Sequence, residues 1–228
     1  MIDTKFFFES LIKNDIKFFS GVPDSLLKNI CAYISDHTDS KNHIIAANEG
    51  NALAIGIGYH LAKGKLPLIY MQNSGLGNIV NPLLSLSDPE VYSIPMLLMI
   101  GWRGQPGIKD EPQHKKQGRV TIEMLETMEV PYQILSADKT NDQADKIIKT
   151  ATTEALNNSL PYAIVVQKDV FSKYTTKNDD SVNYELLRED AVKTIVKNLD
   201  DKDIIISTTG VASRELFEYR VETNKGHN

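Results

Sequence analysis

From the start of the chain to about residue 170, six short apolar runs alternate with stretches of helical periodicity. That alternation is the pattern of a parallel sheet whose strands are covered on both faces by crossover helices. The runs lie at 16–20, 44–47, 66–72, 95–101, 132–135 and 163–167. The helical patterns between them cover 4–14, 25–35, 49–63, 77–86, 121–128 and 141–157, the third closed by Gly64. The expected class is α/β: an open parallel sheet of about six strands with helices on both faces, plus the start of a second α/β domain.

After Phe171 the composition shifts, and the polar stretch 173–181 suits a linker. An amphipathic helix at 186–199, a strand at 203–207, a Thr-Thr-Gly turn and a short helix at 213–219 then read as the first step of a second sheet. The expected division is 1–172, a linker at 173–182, and 183–228 as an incomplete second domain. One strand and two helices cannot bury a sheet face, so the chain reads as a fragment of a longer protein, or else its tail docks on the first domain.

Composition removes several functions. A net charge of -5 argues against a nucleic-acid surface. The longest apolar run, 94–102, is too short to cross a bilayer, and the N-terminus lacks the charged start and apolar core of a secretory signal. Cys31 is the sole cysteine and sits on the apolar stripe of Leu26, Leu27, Ile30 and Ile34, which favours core packing over a catalytic thiol. The expectation is a cytoplasmic protein acting on small molecules, with no membrane or nucleic-acid partner.

In an open parallel sheet, ligands gather at the carboxyl ends of the strands. Four polar, glycine-containing segments fall there: 21–25, 48–51, 72–78 and 101–119. Glu49 stands out, because an apolar strand turns at that point directly into a helix rich in small residues. Its carboxylate would lie at the positive end of that helix, with Gly50 allowing a ligand close to the backbone. It reads either as a site or as a solvated acid completing a helix N-terminus. The helix itself carries Ala52, Ala54, Gly56, Gly58 and Ala62, which suits close packing either against the sheet or across a dimer.

No histidine spacing or thiolate cluster resembles a protein-only metal site, and no phosphate-cradling P-loop is present. Gly75-Leu76-Gly77 is too short for a dinucleotide fingerprint. The segment 102–119 reads as a long loop holding cations and acids, either functional or mobile. In it, Arg103, Lys109 and Arg119 suit a dianionic substrate, and His114 suits proton transfer near neutral pH.

Together, Gly-Val-Pro-Asp-Ser at 21–25, Asn-Glu-Gly-Asn-Ala at 48–52, Gln-Asn-Ser-Gly-Leu-Gly-Asn at 72–78 and the Arg-Gly to Gln-Gly-Arg segment at 103–119 resemble the phosphonopyruvate decarboxylases. These belong, with the sulfopyruvate decarboxylases, to the thiamine-diphosphate-dependent 2-oxoacid decarboxylases. The likeness runs through the whole chain, including Thr-Thr-Gly-x-x-Ser-Arg-Glu-Leu at 208–216. It implies that 1–172 is a pyrimidine-binding domain and that a diphosphate-binding domain begins after it.

The resemblance also implies roles. Glu49 would bond the pyrimidine ring nitrogen and favour the tautomer that removes the thiazolium proton, with Gly50, Gln72, Asn73 and Ser74 also at the cofactor. Asp24 and His114 would handle the proton that releases the aldehyde, and Arg103, Lys109 and Arg119 would meet the substrate's phosphonate. The family holds Mg²⁺ and the diphosphate with a Gly-Asp-Gly motif that is not in this sequence, so the metal falls to the missing second domain. The implied assembly is a homo-oligomer, at least a dimer. The implied reaction takes 3-phosphonopyruvate to phosphonoacetaldehyde and CO2, toward 2-aminoethylphosphonate. Sulfopyruvate decarboxylation and a non-catalytic pyrimidine-type module are the alternatives.

Overall fold

The computed structural model describes residues 1–177, 184–200, 202–208 and 210–223. It divides after residue 178 into two compact units. The first contains α1 (Thr4–Lys13), β1 (Phe19–Gly21), α2 (Lys28–His37), β2 (His43–Ile45), α3 (Glu49–Lys63), β3 (Leu68–Gln72), α4 (Leu76–Pro82), β4 (Met96–Gly101), α5 (Pro112–Thr127), β5 (Tyr132–Leu135), α6 (Asn141–Asn158) and β6 (Pro161–Val166). The strands form one parallel sheet in the order β2-β1-β3-β4-β6-β5.

Strand alternation sends residues to two cores. Leu97 and Met99 of β4 join Phe7, Ile30, Ile34 and Ile148 on the face covered by α1, α2 and α6. Met96, Leu98 and Ile100 join Leu53, Ile57, Ile79 and Leu125 on the face covered by α3, α4 and α5. Every residue of β4 and β6 is buried, as central parallel strands require. The chain steps from β1 to β2 on one side, then returns to place β3 on the other side of β1. This reversal opens a crevice at the carboxyl ends of β1 and β3.

Local signals explain the best-read boundaries. In α3, Asn48 accepts the Asn51 N–H at the N-cap, and Gly64 (φ 63°) ends the helix in the left-handed conformation. In α6, Thr140 and Gln143 form a reciprocal capping box. Cys31 lies in the first core, and burial, helped by the Asp24 carboxylate, pushes its thiol up to about 12.

Two expectations are corrected. The segment 102–119 is not one long loop, because α5 begins at Pro112, nine residues before the expected start at 121. Proline at the first helical position lacks only an N–H that would be unpaired anyway, so it starts this helix rather than breaking the chain. Gly118 lets the helix lie on the preceding turn, since a Cβ there would overlap the Gly104 carbonyl. The second correction is in the second unit, where residues 203–208 form no strand. Ile204 and Ile206 are 80% and 93% exposed, and the unit offers no described strand to pair with them. That unit contains α7 (Arg188–Lys197) and α8 (Val211–Glu222), joined by a bidentate Arg188–Glu215 pair at 2.8 Å. Tyr174, within the expected linker 173–182, packs on the first unit, its hydroxyl donating to Asp36 at 2.8 Å, and just before it Ser172 accepts the Thr4 N–H at 3.1 Å.

The remaining irregular turn, 102–111, is closed by a clamp. Arg103 Nε donates to Asp110 Oδ2 at 2.9 Å, and Nη2 donates to Oδ1. The Gly104 and Glu111 amides donate to the same carboxylate. The guanidinium, aided by these amides, holds the Asp110 carboxyl far below the usual range. A depressed carboxyl contributes stability that is complete above its unfolded value near pH 4 and fades as pH falls below it. Asp110→Asn should therefore cost about 1–3 kcal/mol at neutral pH, with the difference shrinking toward pH ~2 as the carboxyl of the unfolded wild-type chain protonates. Urea unfolding across that range checks this, and a pH-independent difference would contradict it. Gly118→Ala should lower the melting temperature through overpacking of about 1–3 kcal/mol, measurable by thermal unfolding.

Candidate functional site

Three clusters form along the carboxyl edge of the sheet. The first surrounds Glu49, the first residue of α3. Asn78, in α4, donates Nδ2 to Glu49 Oε2 at 2.7 Å. The rest of the side chain lies across Gly75, where a Cβ would overlap Glu49 Cγ, Cδ and Oε1. Gly50 faces the Asn78 carbonyl with only 3.0 Å for a Cβ. One carboxylate oxygen is thus tied, the other lies over a glycine, and the group is half-exposed at a helix N-terminus. Gly77 beside it has open space where a side chain would stand. This shape suits a flat heterocycle that presents a ring nitrogen to Glu49, so the residues present fit the aminopyrimidine of thiamine diphosphate.

The second cluster is at the crevice between β1 and β3. Asp24 is 5% exposed. Its Oδ1 accepts from Gln72 Nε2 at 2.7 Å, and its Oδ2 accepts from the Leu26 N–H at 3.0 Å. Oδ2 also fills the space where any side chain at Gly101 would stand. Ser74 donates its hydroxyl to Gln72 Oε1 at 2.8 Å. Both polar ends of the Gln72 amide are therefore engaged within the protein.

The third cluster is the turn after β4. Asn73 is fully buried. Its Nδ2 donates to the Arg103 carbonyl and to Thr121 Oγ1, both at 2.8 Å, and its Oδ1 accepts the Arg103 N–H at 3.1 Å. Gln117 donates to the Asn73 carbonyl at 3.0 Å. Asn73, expected at the cofactor, instead has its side chain consumed as a brace joining β3, the turn and α5. Arg103, expected to neutralise substrate, is likewise engaged: Asp110 balances its charge, and Nη1 donates to Ser25 at 2.8 Å, next to Asp24.

Lys109 is exposed on the rim of an open cleft of 970 Å³. Arg103, Lys28, Lys168, Lys173 and Trp102 also line this cleft, which includes neither Glu49 nor Asp24. His114 and Arg119 lie on α5 outside the cleft lining, His114 half-buried in the first turn and Arg119 exposed. Asn78, Ser25 and Asp110 were not singled out from the sequence. All three lie within the motif segments, yet only the fold shows what they hold.

The small-residue helix divides its roles. Ala52 and Gly56 face the sheet, where a Cβ on Gly56 would meet Ile69 at 2.6 Å, whereas Ala54, Gly58, Leu61 and Ala62 are exposed. Among the described residues, no group of three or more His, Cys, Asp and Glu is placed to hold a metal ion, and no helix is long and apolar enough to cross a membrane.

The family model for the N-terminal TPP binding domain of thiamine pyrophosphate enzymes matches residues 4–125, more than half of the chain. A phosphonopyruvate decarboxylase of Streptomyces viridochromogenes is 30% identical over 214 residues, covering 87% of this chain and 52% of the relative. The alpha subunit of a sulfopyruvate decarboxylase from Methanococcus maripaludis is 35% identical over 159 residues, covering 70% of this chain and 90% of that subunit. The chain thus spans about half the length of the phosphonopyruvate decarboxylase it matches. Among solved structures, benzoylformate decarboxylase from Polynucleobacter necessarius has a TM-score of 0.57 at 18% identity, covering 85% of this chain and 35% of that one, which is a likeness of fold. The parallel sheet and these matches agree, and the chain belongs to the thiamine pyrophosphate enzymes through their N-terminal cofactor-binding domain.

Proposed function

We propose that the protein containing this chain is a thiamine-diphosphate-dependent decarboxylase of a small 2-oxoacid carrying a second anionic group, with 3-phosphonopyruvate as substrate and phosphonoacetaldehyde and CO2 as products. The observation that carries the reading is the setting of Glu49: one oxygen tied by Asn78, the other over Gly75 at the head of α3. When bound, the cofactor supplies the electron sink that loss of CO2 from a 2-oxoacid needs.

The chain's own residues then divide the work. Glu49 holds a proton at the pyrimidine ring nitrogen, and Gly50, Gly75 and Gly77 leave the ring room to approach. Asp24 and His114 are the proposed proton-handling pair for aldehyde release. Lys109 meets the remote anion, because Arg103 is already paired with Asp110, and exposed Arg119 is the further candidate. Residues 1–172 serve as the pyrimidine-binding domain, and the part beyond 182 begins the diphosphate-binding domain. Mg²⁺ and the diphosphate would be held by residues outside this chain.

The exposed face of Ala54, Gly58, Leu61 and Ala62 supports a homo-oligomer, at least a dimer, and the proposed setting of this small-molecule enzyme is the cytoplasm. Sulfopyruvate is the second reading, favoured by the 35% identity to a sulfopyruvate decarboxylase alpha subunit. Phosphonopyruvate is preferred because, where the likeness extends beyond the first unit, the phosphonopyruvate decarboxylase is the more similar, at 30% identity over 87% of the chain against 25% over 93% for a sulfopyruvate decarboxylase of Methanosarcina acetivorans. A place in 2-aminoethylphosphonate biosynthesis follows from that substrate.

The full-length protein, supplied with thiamine diphosphate and Mg²⁺, should release CO2 from both acids, with the larger kcat/KM for phosphonopyruvate. Lys109→Glu should raise KM about tenfold, the loss of one charge-assisted contact. Preference for sulfopyruvate would move the assignment to the second reading. Release from neither would leave a non-catalytic binding module.

A further inference from the structure

We propose that Gln72 and Ser74 are positioning residues for Asp24: Gln72 holds the Asp24 carboxylate at the crevice between β1 and β3, and Ser74 holds the Gln72 amide. This rests on the reading of Asp24 as a proton-handling group. It goes further by assigning two residues of the 72–78 segment to Asp24 rather than to the cofactor.

An amide side chain has one donor end and one acceptor end, and its shape barely changes when the two are exchanged. An ionised carboxylate only accepts, so the Gln72 NH₂ must face Asp24 Oδ1, where it sits at 2.7 Å. Oε1 then faces away and takes the Ser74 hydroxyl at 2.8 Å. Protonating Asp24 makes it a donor, and the line can then run the opposite way: carboxyl to amide oxygen, and amide NH₂ to the serine oxygen. Serine suits the outer position because its hydroxyl both donates and accepts. The exposed Ser74 and the 5%-exposed Asp24 are thus the two ends of a line whose polarity follows the charge of Asp24.

The surroundings leave few other supports. Asp24 Oδ2 takes the Leu26 N–H and abuts Gly101, so the carboxylate cannot swing toward β4. From α2 it faces the Cys31 thiol, which is buried and raised to about 12, so it stays neutral at ordinary pH. From the turn after β4 it feels Arg103, whose own hydrogen bonds go to Asp110 and Ser25 and which Glu111 also influences. The Gln72 amide and the Leu26 N–H are therefore the hydrogen-bond donors to this buried carboxylate. Losing one leaves buried charge unmet.

The test follows kcat/KM for decarboxylation against pH in the full-length protein, with thiamine diphosphate affinity and thermal unfolding as controls. Gln72→Leu should lose about 10- to 100-fold at every pH, the loss expected for a hydrogen bond to a charged acceptor, with cofactor affinity unchanged. Gln72→Glu keeps the shape. Its introduced carboxyl can donate to Asp24 when protonated and repels it when ionised, so activity should hold at acid pH and fall on the alkaline side, giving a profile displaced to lower pH than wild type. Ser74→Ala should cost about threefold, as for a neutral hydrogen bond. A Gln72→Glu profile parallel to wild type, or weakened cofactor binding in Gln72→Leu, would overturn the proposal and return Gln72 to the cofactor. Asp24→Asn separates the two levels: full activity there removes the role of Asp24 itself, whereas an inactive Asp24→Asn with a parallel Gln72→Glu profile removes only the positioning claim.

Discussion

The carboxyl edge of the sheet depends on one buried amide. Asn73 has no exposed surface, and burying an unpaired amide costs several kcal/mol. Its side chain therefore stays only because the Arg103 backbone and Thr121 satisfy both of its ends. Those bonds fix the start of the turn after β4 and dock α5 against the end of β3. With Asn73 turned inward, its neighbours Gln72 and Ser74 are left to face the crevice, and Gly75 lies under Glu49. Four consecutive residues thus serve three purposes: a brace, a support for Asp24 and a floor for Glu49.

Charge along this edge follows the same economy. Arg103 is held by Asp110 and Ser25, so its cation shapes the turn rather than offering an open charge. The lysines of the neighbouring cleft, Lys28, Lys109, Lys168 and Lys173, are exposed and free of short ion pairs among the described residues. Positive potential in this cleft accordingly comes from flexible side chains on a rim, whereas the rigid groups, Glu49 and Asp24, lie outside its lining, where strands end.

Much of the fold was legible in the sequence because local and global signals agreed. The limits of α3 follow from Asn48 and Gly64, and β5 matches its apolar run at 132–135. Parallel topology followed from the alternation alone. What misled was punctuation: Pro112 and Gly118 read as loop residues, yet one starts α5 and the other lets it touch the Gly104 turn. At 203–207, β-branched residues suggested a strand, but strand preference expresses packing against neighbours, and the described residues supply none. The site motifs were visible as segments. Which residue each side chain holds was not, because Asn73 to Arg103 and Gln72 to Asp24 are contacts between segments 30 and 48 residues apart.

The central claim is that Glu49 activates bound thiamine diphosphate. The most direct measurement is the rate at which the C2 proton of the bound cofactor exchanges with deuterated solvent, compared between the full-length protein and its Glu49→Gln variant under saturating cofactor. Slowing by about 100-fold or more, within the range of general acid–base contributions, with the cofactor still bound, is the predicted result. Equal exchange rates in the two proteins would contradict it.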